Sequence, residues 1–290
     1  MKTPLQKSPI PHSHTFVVKQ LNERVFDPNW HFHPEYQLFT VLKGRGTRFI
    51  GDHVTPFGEG DITFTGPNLP HLWRSDHEGA DNKHAWSEGI VVYFHENFIS
   101  EALFQKEEAI KLRQLFKKSL RGIDLTGETA FTVKKMLFNL LKLKGFDSVL
   151  ELLKILNCLS RSEEIELLAS PGYTNTLKEG DTERMNRVYA YVMKQFKQKM
   201  AVTDLAELCS MTPTSFSRYF RVHANKTFSD FVSEIRIGYA CKLLIDHKLN
   251  CSEACYESGF QTLSNFNRQF KAVTGRTLSA YKNEFRADQI

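Results

Sequence analysis

Residues 251–271 read Cys251-Ser252-Glu253-Ala254-Cys255-Tyr256-Glu257-Ser258-Gly259-Phe260-Gln261-Thr262-Leu263-Ser264-Asn265-Phe266-Asn267-Arg268-Gln269-Phe270-Lys271. Ser252 to Glu257 is a short helix, Ser258-Gly259-Phe260 a turn whose glycine can take a positive φ, and Thr262 to Lys271 a longer helix. Phe266 and Phe270 stand four apart, so they share one helix face and anchor it on a core. Ser264, Asn265 and Arg268 are then turned outward.

The same arrangement stands fifty residues upstream. Val202 to Leu208 is a short helix with Thr203 as its expected N-cap, Cys209-Ser210-Met211 is a turn, and Thr212 caps a helix that opens on Pro213. Phe216 and Phe220 repeat the anchoring pair, which leaves Thr214, Ser217 and Arg218 outward. Two helix-turn-helix units result, bridged by an amphipathic helix around Phe228 to His247. A DNA major groove admits one α-helix, and Arg on guanine, Asn on adenine and Ser or Thr on either are its usual pairings. A rigid bridge could set the two helices in successive major grooves about 34 Å apart. The alternative is a plain helical bundle with a basic surface. Charge favours DNA: Lys and Arg outnumber Asp and Glu by 16 to 10 in residues 183–290, but number 22 against 23 in residues 1–182.

The run Cys255 to Phe260, then Asn265 to Lys271, then Thr274-Gly275-Arg276-Thr277 and Tyr281 resembles the signature of AraC/XylS-family transcription regulators, over about residues 183 to 286. The resemblance implies a seven-helix module with two helix-turn-helix units that binds double-stranded promoter DNA, as a rule activating transcription beside RNA polymerase. It makes Thr214, Ser217, Arg218, Ser264, Asn265 and Arg268 the base-contact candidates. Ser210 stands where the family has a turn glycine, Cys255 where it has alanine, and Leu278 where proline is frequent.

From Trp30 to about Phe94 the chain changes character. Short β-like runs, such as Gln37 to Leu42 and Thr47 to Ile50, alternate with turn formers such as Lys43-Gly44-Arg45-Gly46, which describes an antiparallel β-domain. In Trp30-His31-Phe32-His33-Pro34-Glu35-Tyr36-Gln37, alternation puts His31, His33 and Gln37 on one face, and Gly60 to His71 brings a third histidine after a turn-rich stretch. These two segments resemble the paired motifs of the cupin superfamily, in which His-x-His, a glutamate and a later His face into a small β-barrel and hold a divalent metal. Gln37 replaces that glutamate, and Glu35 is out of phase by two. Three imidazoles could still hold Zn, Fe, Ni or Cu; the alternative is that His31, His33 and His71 are satisfied barrel-mouth side chains with Trp73 packed beside them. Sensor domains of the regulator family resemble cupins and bind a small effector without chemistry, so no catalytic residue and no obligatory cofactor is expected. The ligand-pocket candidates are His31, His33, Gln37, Arg48, His71 and Trp73, a polar and aromatic set suited to a sugar derivative, although Arg48 also reads as solvated surface.

Helical periodicity begins near Asn97, with Glu101 to Leu120 and Gly127 to Leu159, the latter broken near Gly145. Their apolar faces are broad enough to pack on the barrel and still leave the kind of surface the family uses for homodimers. The expected fold is α+β: a cupin-like effector-sensing β-domain (1–98), a helical dimerisation and connector region (99–170), a linker (171–182) and an all-α DNA-binding domain (183–290).

Length and composition bound the rest. Two hundred and ninety residues, 41% hydrophobic, suffice for two packed domains and exclude fibrous and disordered classes. The longest apolar runs, such as Ile90 to Phe94, fall far short of the roughly 18 to 20 residues that cross a bilayer. No signal peptide opens the chain and its five cysteines suit a reducing compartment, so a cytoplasmic place without membrane contact is expected. Cys251 and Cys255 are expected to be structural thiols rather than a zinc pair. The leading reading is a small-molecule-controlled, sequence-specific DNA-binding activator. The alternative is a metal-dependent cupin enzyme with a C-terminal targeting domain.

Overall fold

Tyr36–Lys43 (β2) is buried at every position from Tyr36 to Val41, which requires cover on both faces. In the computed structural model, which describes residues 10–76, 86–173, 175, 179–246 and 249–281, that cover comes from two directions. Strand β2 sits in a six-stranded sheet with Phe16–Glu23 (β1), Ile62–Thr65 (β5), Ser87–Phe94 (β7), Ile123–Leu125 (β8) and Ile165–Leu167 (β9), ordered β1-β7-β2-β5-β8-β9. A three-stranded sheet is made of Gly46–Ile50 (β3), His53–Phe57 (β4) and His71–Ser75 (β6), ordered β4-β3-β6.

One face of the large sheet carries Tyr36, Leu38, Phe64, Ile90, Val92 and Phe94 into a core shared with the helices. Those helices are Glu101–Phe104 (α1), Ile110–Ser119 (α2), Gly127–Leu140 (α3) and Gly145–Arg161 (α4). Tyr36 stacks on Phe94 with ring centroids 5.2 Å apart, and Phe116 of α2 closes to 4.5 Å. The other face carries Phe39, Val41 and Val91 against Ile50 and Trp73 of the small sheet. Alternation along β2 thus feeds two cores from one strand.

Sequence reading and structure differ in several places. Strand β1 pairs with β7 along its whole length, outside the stretch read as β. Strands β8 and β9 lie in the helical connector region, after each of its two expected helices, and at three residues each are too short to show a period of two. They extend the large sheet through β5, and Glu164 beside β9 accepts the backbone N–H groups of Glu128 and Thr129 at 3.3 and 2.7 Å. That carboxylate satisfies the first turn of α3, whose own N-cap residue Thr126 makes no side-chain cap.

The chain divides into two compact units, one within residues 1–175 and one within 176–290 apart from three strand residues, 54–56. Of the stretch read as linker, 174 and 176–178 lie outside the described residues, and Glu179–Gln195 (α5) begins inside it. The second unit continues with Val202–Leu208 (α6), Pro213–Ala224 (α7), Phe228–Asp246 (α8), Cys251–Glu257 (α9) and Leu263–Thr274 (α10). Residues 278–281 are again helical at the end of the described range. Position 247, the expected end of the bridging helix, lies outside it.

Ala201, not Thr203, occupies the N-cap of α6: the helix starts at Val202, which puts Thr203 inside the first turn. Thr212 and Thr262 cap α7 and α10 by accepting the N–H of Ser215 and Asn265. The two turns match in conformation, with Ser210 at φ 55° and Gly259 at φ 90°. Only Gly259 is free of a Cβ there, and one would stand 2.6 Å from the carbonyl oxygen of Lys197. Ser210 bears the left-handed cost, about 1–2 kcal/mol, which glycine's greater unfolded freedom offsets in part. Ser210→Gly is expected to raise the unfolding free energy by about 0.5–1 kcal/mol in urea titration; a loss of stability would show that the serine is favoured where it stands.

Candidate functional sites

Helices α7 and α10 of the second unit are oriented by aromatic contacts. Phe216 and Phe220 are fully buried against Phe228 and Phe231, with Phe220 and Phe231 centroids 5.3 Å apart. Phe266 and Phe270 are equally buried, against Phe260 at 5.2 Å and Tyr281 at 5.3 Å. Thr214, Ser217, Arg218, Ser264, Asn265 and Arg268 are all exposed. Ser217 Oγ donates back to the Pro213 carbonyl at 2.9 Å, and Arg268 donates to Asn265 Oδ1 at 3.0 Å, which presets the guanidinium over the first turn of α10. Beside it a surface groove is lined by Asn267, Lys271, Thr277 and Ser279, none of which was among the contact candidates. Arg236 of α8 donates to the carbonyls of Phe196 and Gln198 beyond α5, at 2.6 and 2.8 Å, and its guanidinium faces the Phe260 ring. One arginine therefore ties the end of α5 to the core of the second helix-turn-helix.

The cysteines are packed. Burial raises the Cys255 thiol above its ordinary pKa and takes Cys241 to about 11. Among the described residues the one metal-capable group found is His31, His33 and His71.

Those three histidines are brought together by a local pairing. His31 and His71 form an isolated antiparallel bridge, exchanging N–H···O bonds of 3.2 and 2.9 Å, so their side chains meet across it. His33 joins by alternation. One ring nitrogen of each lies within 4.8 Å of the others, and all three residues are 7% exposed or less. Every Nδ1 is held by a backbone carbonyl: His31 by Asn29 at 2.7 Å, His33 by Glu35 at 3.1 Å, His71 by Leu69 at 2.7 Å. A carbonyl accepts only from N–H, so each Nε2 is left as the lone-pair nitrogen. Gln37 Oε1 stands 3.1 Å from His33 Nε2; with Nδ1 as the donor the amide must turn over for its NH2 to face the ring, and Gln37 then engages the His33 lone pair. His71 Nε2 is buried with no hydrogen-bond partner. Burial drives the pKa of His71 well below its ordinary value, and that of His31 down as well, which keeps both rings neutral.

Trp73 packs edge-on to His71 at 5.4 Å and to Phe39 at 4.8 Å. Tyr93 stands 5.2 Å from His33, an interior neighbour that the sequence did not single out because it arrives from β7 by long-range pairing, opposite Gln37. Arg48 is only 3% exposed, which excludes the solvated-surface alternative. Its guanidinium, however, is taken up by Asp124 of β8 through a two-pronged contact and by Asp61 at 3.6 Å. Arg48 therefore ties β3 to β8 of the large sheet, and the other five pocket candidates remain as interior groups.

Residues 205–284 match the helix-turn-helix domain family, and residues 21–92 match the cupin domain family. The chain is 23% identical over 277 residues to the uncharacterized HTH-type transcriptional regulator YdeC of Bacillus subtilis (strain 168), covering 87% of this chain and 85% of that protein. It is 22% identical to the Msm operon regulatory protein of Streptococcus mutans serotype c, covering 86% and 84%. Among solved structures, ToxT from Vibrio cholerae O395 is matched over 94% of this chain and 100% of that one at 13% identity, with a TM-score of 0.36.

Truncating Arg48 leaves two partly buried carboxylates without their cation. Arg48→Ala is expected to cost about 3 kcal/mol of stability in the first unit, and Asp124→Ala added to it less than the separate effects summed. A loss below about 0.5 kcal/mol for Arg48→Ala would show that the contact does not hold β8 in place.

Proposed function

The chain is a transcriptional regulator of the AraC type with a cupin domain, and from that premise we propose that it selects promoters with both helix-turn-helix units under the control of a small molecule received in the cupin domain. The observation that carries this reading is the matched pair of helices α7 and α10, each pinned by two buried phenylalanines under an exposed polar face, Thr214, Ser217 and Arg218 in one and Ser264, Asn265 and Arg268 in the other. Thr214, Ser217 and Arg218 read one half-site, and Ser264, Asn265 and Arg268 the other, with Lys271 beside them on phosphate. Activation follows by contact with RNA polymerase. A rise of transcription in vitro on adding protein is the result this requires, and a fall would make it a repressor. The protein works beside the chromosome in the cytoplasm; among the described residues no helix is long and apolar enough to cross a membrane.

The sensing residues are His31, His33, Gln37, His71 and Trp73, with Tyr93 added and Arg48 set aside as a structural tie. They suit a small polar ligand, sugar derivatives among the classes with hydroxyls to pair and a face to stack. No catalytic step belongs to this reading. A second reading of the same cluster is favoured by its tautomers: with each Nδ1 donating outward, the Nε2 lone pairs of His31 and His71 converge with that of His33, which Gln37 covers and must release, as a divalent first-row ion requires. His31, His33 and His71 fit such an ion, and when bound it would supply a Lewis-acidic point for an oxygen of the effector.

Exposed Phe138 of α3 and Phe146 and Leu150 of α4 support a homodimer, Phe146 being 71% exposed. Phe146→Glu is expected to turn a sedimenting dimer into a monomer, and an unchanged dimer would place the interface elsewhere. Arg218→Ala and Arg268→Ala are each expected to lose about 1–3 kcal/mol of discrimination at one part of the binding site. Unaltered sequence preference in both variants would overturn the assignment of the reading helices.

A further inference from the structure

Glu35 is the residue whose position the regulator reading leaves without a task. Its side chain is 0% exposed, on the approach to β2 between the histidine cluster and the protein surface. Oε2 stands 3.3 Å from Nδ1 of His33, and Oε1 stands 3.6 Å from Nε2 of His95. His33 is itself buried, whereas the His95 side chain is 37% exposed at the end of β7 and lines a surface pocket with Pro34, Glu96 and Glu101. A carboxylate fully withdrawn from water is costly unless cations or strong donors face it. Here it is flanked by two imidazoles, one belonging to the cluster.

The chemistry of the donor set gives that placement a meaning. An ion held by three neutral imidazole nitrogens keeps its full double charge in a low-dielectric interior, and the carboxylate that the motif would supply at position 37 is here an amide. A carboxylate hydrogen-bonded to the outer nitrogen of a ligating imidazole does part of the same work, because it makes the ring a stronger donor and fixes its orientation. His33 Nδ1 donates to the Glu35 carbonyl at 3.1 Å, and the Glu35 carboxylate stands 3.3 Å from the same nitrogen as an ion-pair contact, so the residue that fixes the ring also sets its charge behind it. The negative charge has moved from the ligand shell to the position behind it.

We propose that Glu35 is the charge partner of a three-histidine metal site, a positioning residue that acts on a bound divalent ion through His33 and is itself held from the outer side by His95. This rests on the second reading of the cluster, that His31, His33 and His71 take a metal. The consequence is specific: charge lost at Glu35 can be restored at position 37, where Gln37 already touches His33 Nε2.

The test uses the full-length chain, Zn2+ competed against a chromophoric chelator, and Co2+ absorption as a report of ligand number. Wild type is expected to bind about one ion per chain in a histidine-ligated spectrum, and His71→Ala to lose it. Glu35→Gln is expected to weaken Zn2+ roughly 10- to 100-fold, and the double variant Glu35→Gln with Gln37→Glu to recover most of the loss. The single variant Gln37→Glu is measured beside them: a gain over wild type as large as the recovery in the double variant would show that the new carboxylate binds the ion by itself and would contradict the role of Glu35, and a smaller gain supports it. Absence of ion binding by wild type overturns the metal reading and this inference with it. Tight binding by wild type with equal affinity in Glu35→Gln overturns the role of Glu35 alone. Should Glu35→Gln not fold, Glu35→Asp keeps the charge but draws it back by one methylene; weaker Zn2+ binding than wild type supports the proposal, and equal binding contradicts it.

Discussion

Two phenylalanines one turn apart decide how each reading helix is presented. Phe216 with Phe220 and Phe266 with Phe270 are 0% exposed, and burying each contributes about 2–3 kcal/mol. A helix pinned at i and i+4 cannot rotate without withdrawing both rings, so positions within two residues of the first ring are turned outward. Thr214, Ser217 and Arg218 in α7, and Ser264, Asn265 and Arg268 in α10, hold those positions. The proposed recognition depends on this constraint, since a helix free to roll would offer DNA no fixed set of side chains. The caps at Thr212 and Thr262 set the start of each helix and so its register against the pinning pair.

The first unit uses a single strand for two purposes. Tyr36 points into the core shared with α2, and its neighbour Gln37 points to His33, because successive residues of β2 face opposite sides of the sheet. A ligand that draws Gln37 away from His33 therefore acts on the strand that also carries the helical layer. Arg48 extends the connection laterally, from β3 to Asp124 on β8, and β8 in turn pairs with β9. The histidine cluster is thus joined by continuous hydrogen-bonded structure to the helices whose outer faces carry Phe138 and Phe146.

What could be read from the sequence was what depends on neighbours in the chain. Both helix-turn-helix units were visible from turn residues, caps and phenylalanine spacing, all within a dozen positions. The cluster was half visible: His31 and His33 share a face by alternation, and His71 follows by likeness of motif. Its partners were hidden by distance. Tyr93 enters by pairing of β7 with β2, and Asp124 meets Arg48 from 76 residues away. Glu35 reads as out of phase by two with the ligand position, and phase along a strand says nothing of a carboxylate placed behind the ring. Strands β8 and β9 escaped because three residues between helices give no period to detect.

The most direct test of a promoter-selecting regulator is selection of genomic fragments by the full-length protein at near-physiological salt, sequenced after several rounds. A recovered motif of two parts, their centres about one helical turn apart, is the predicted result. Recovery of fragments with no shared motif, with and without Zn2+ and cell extract as a source of effector, and affinity that follows salt alone, would contradict the account.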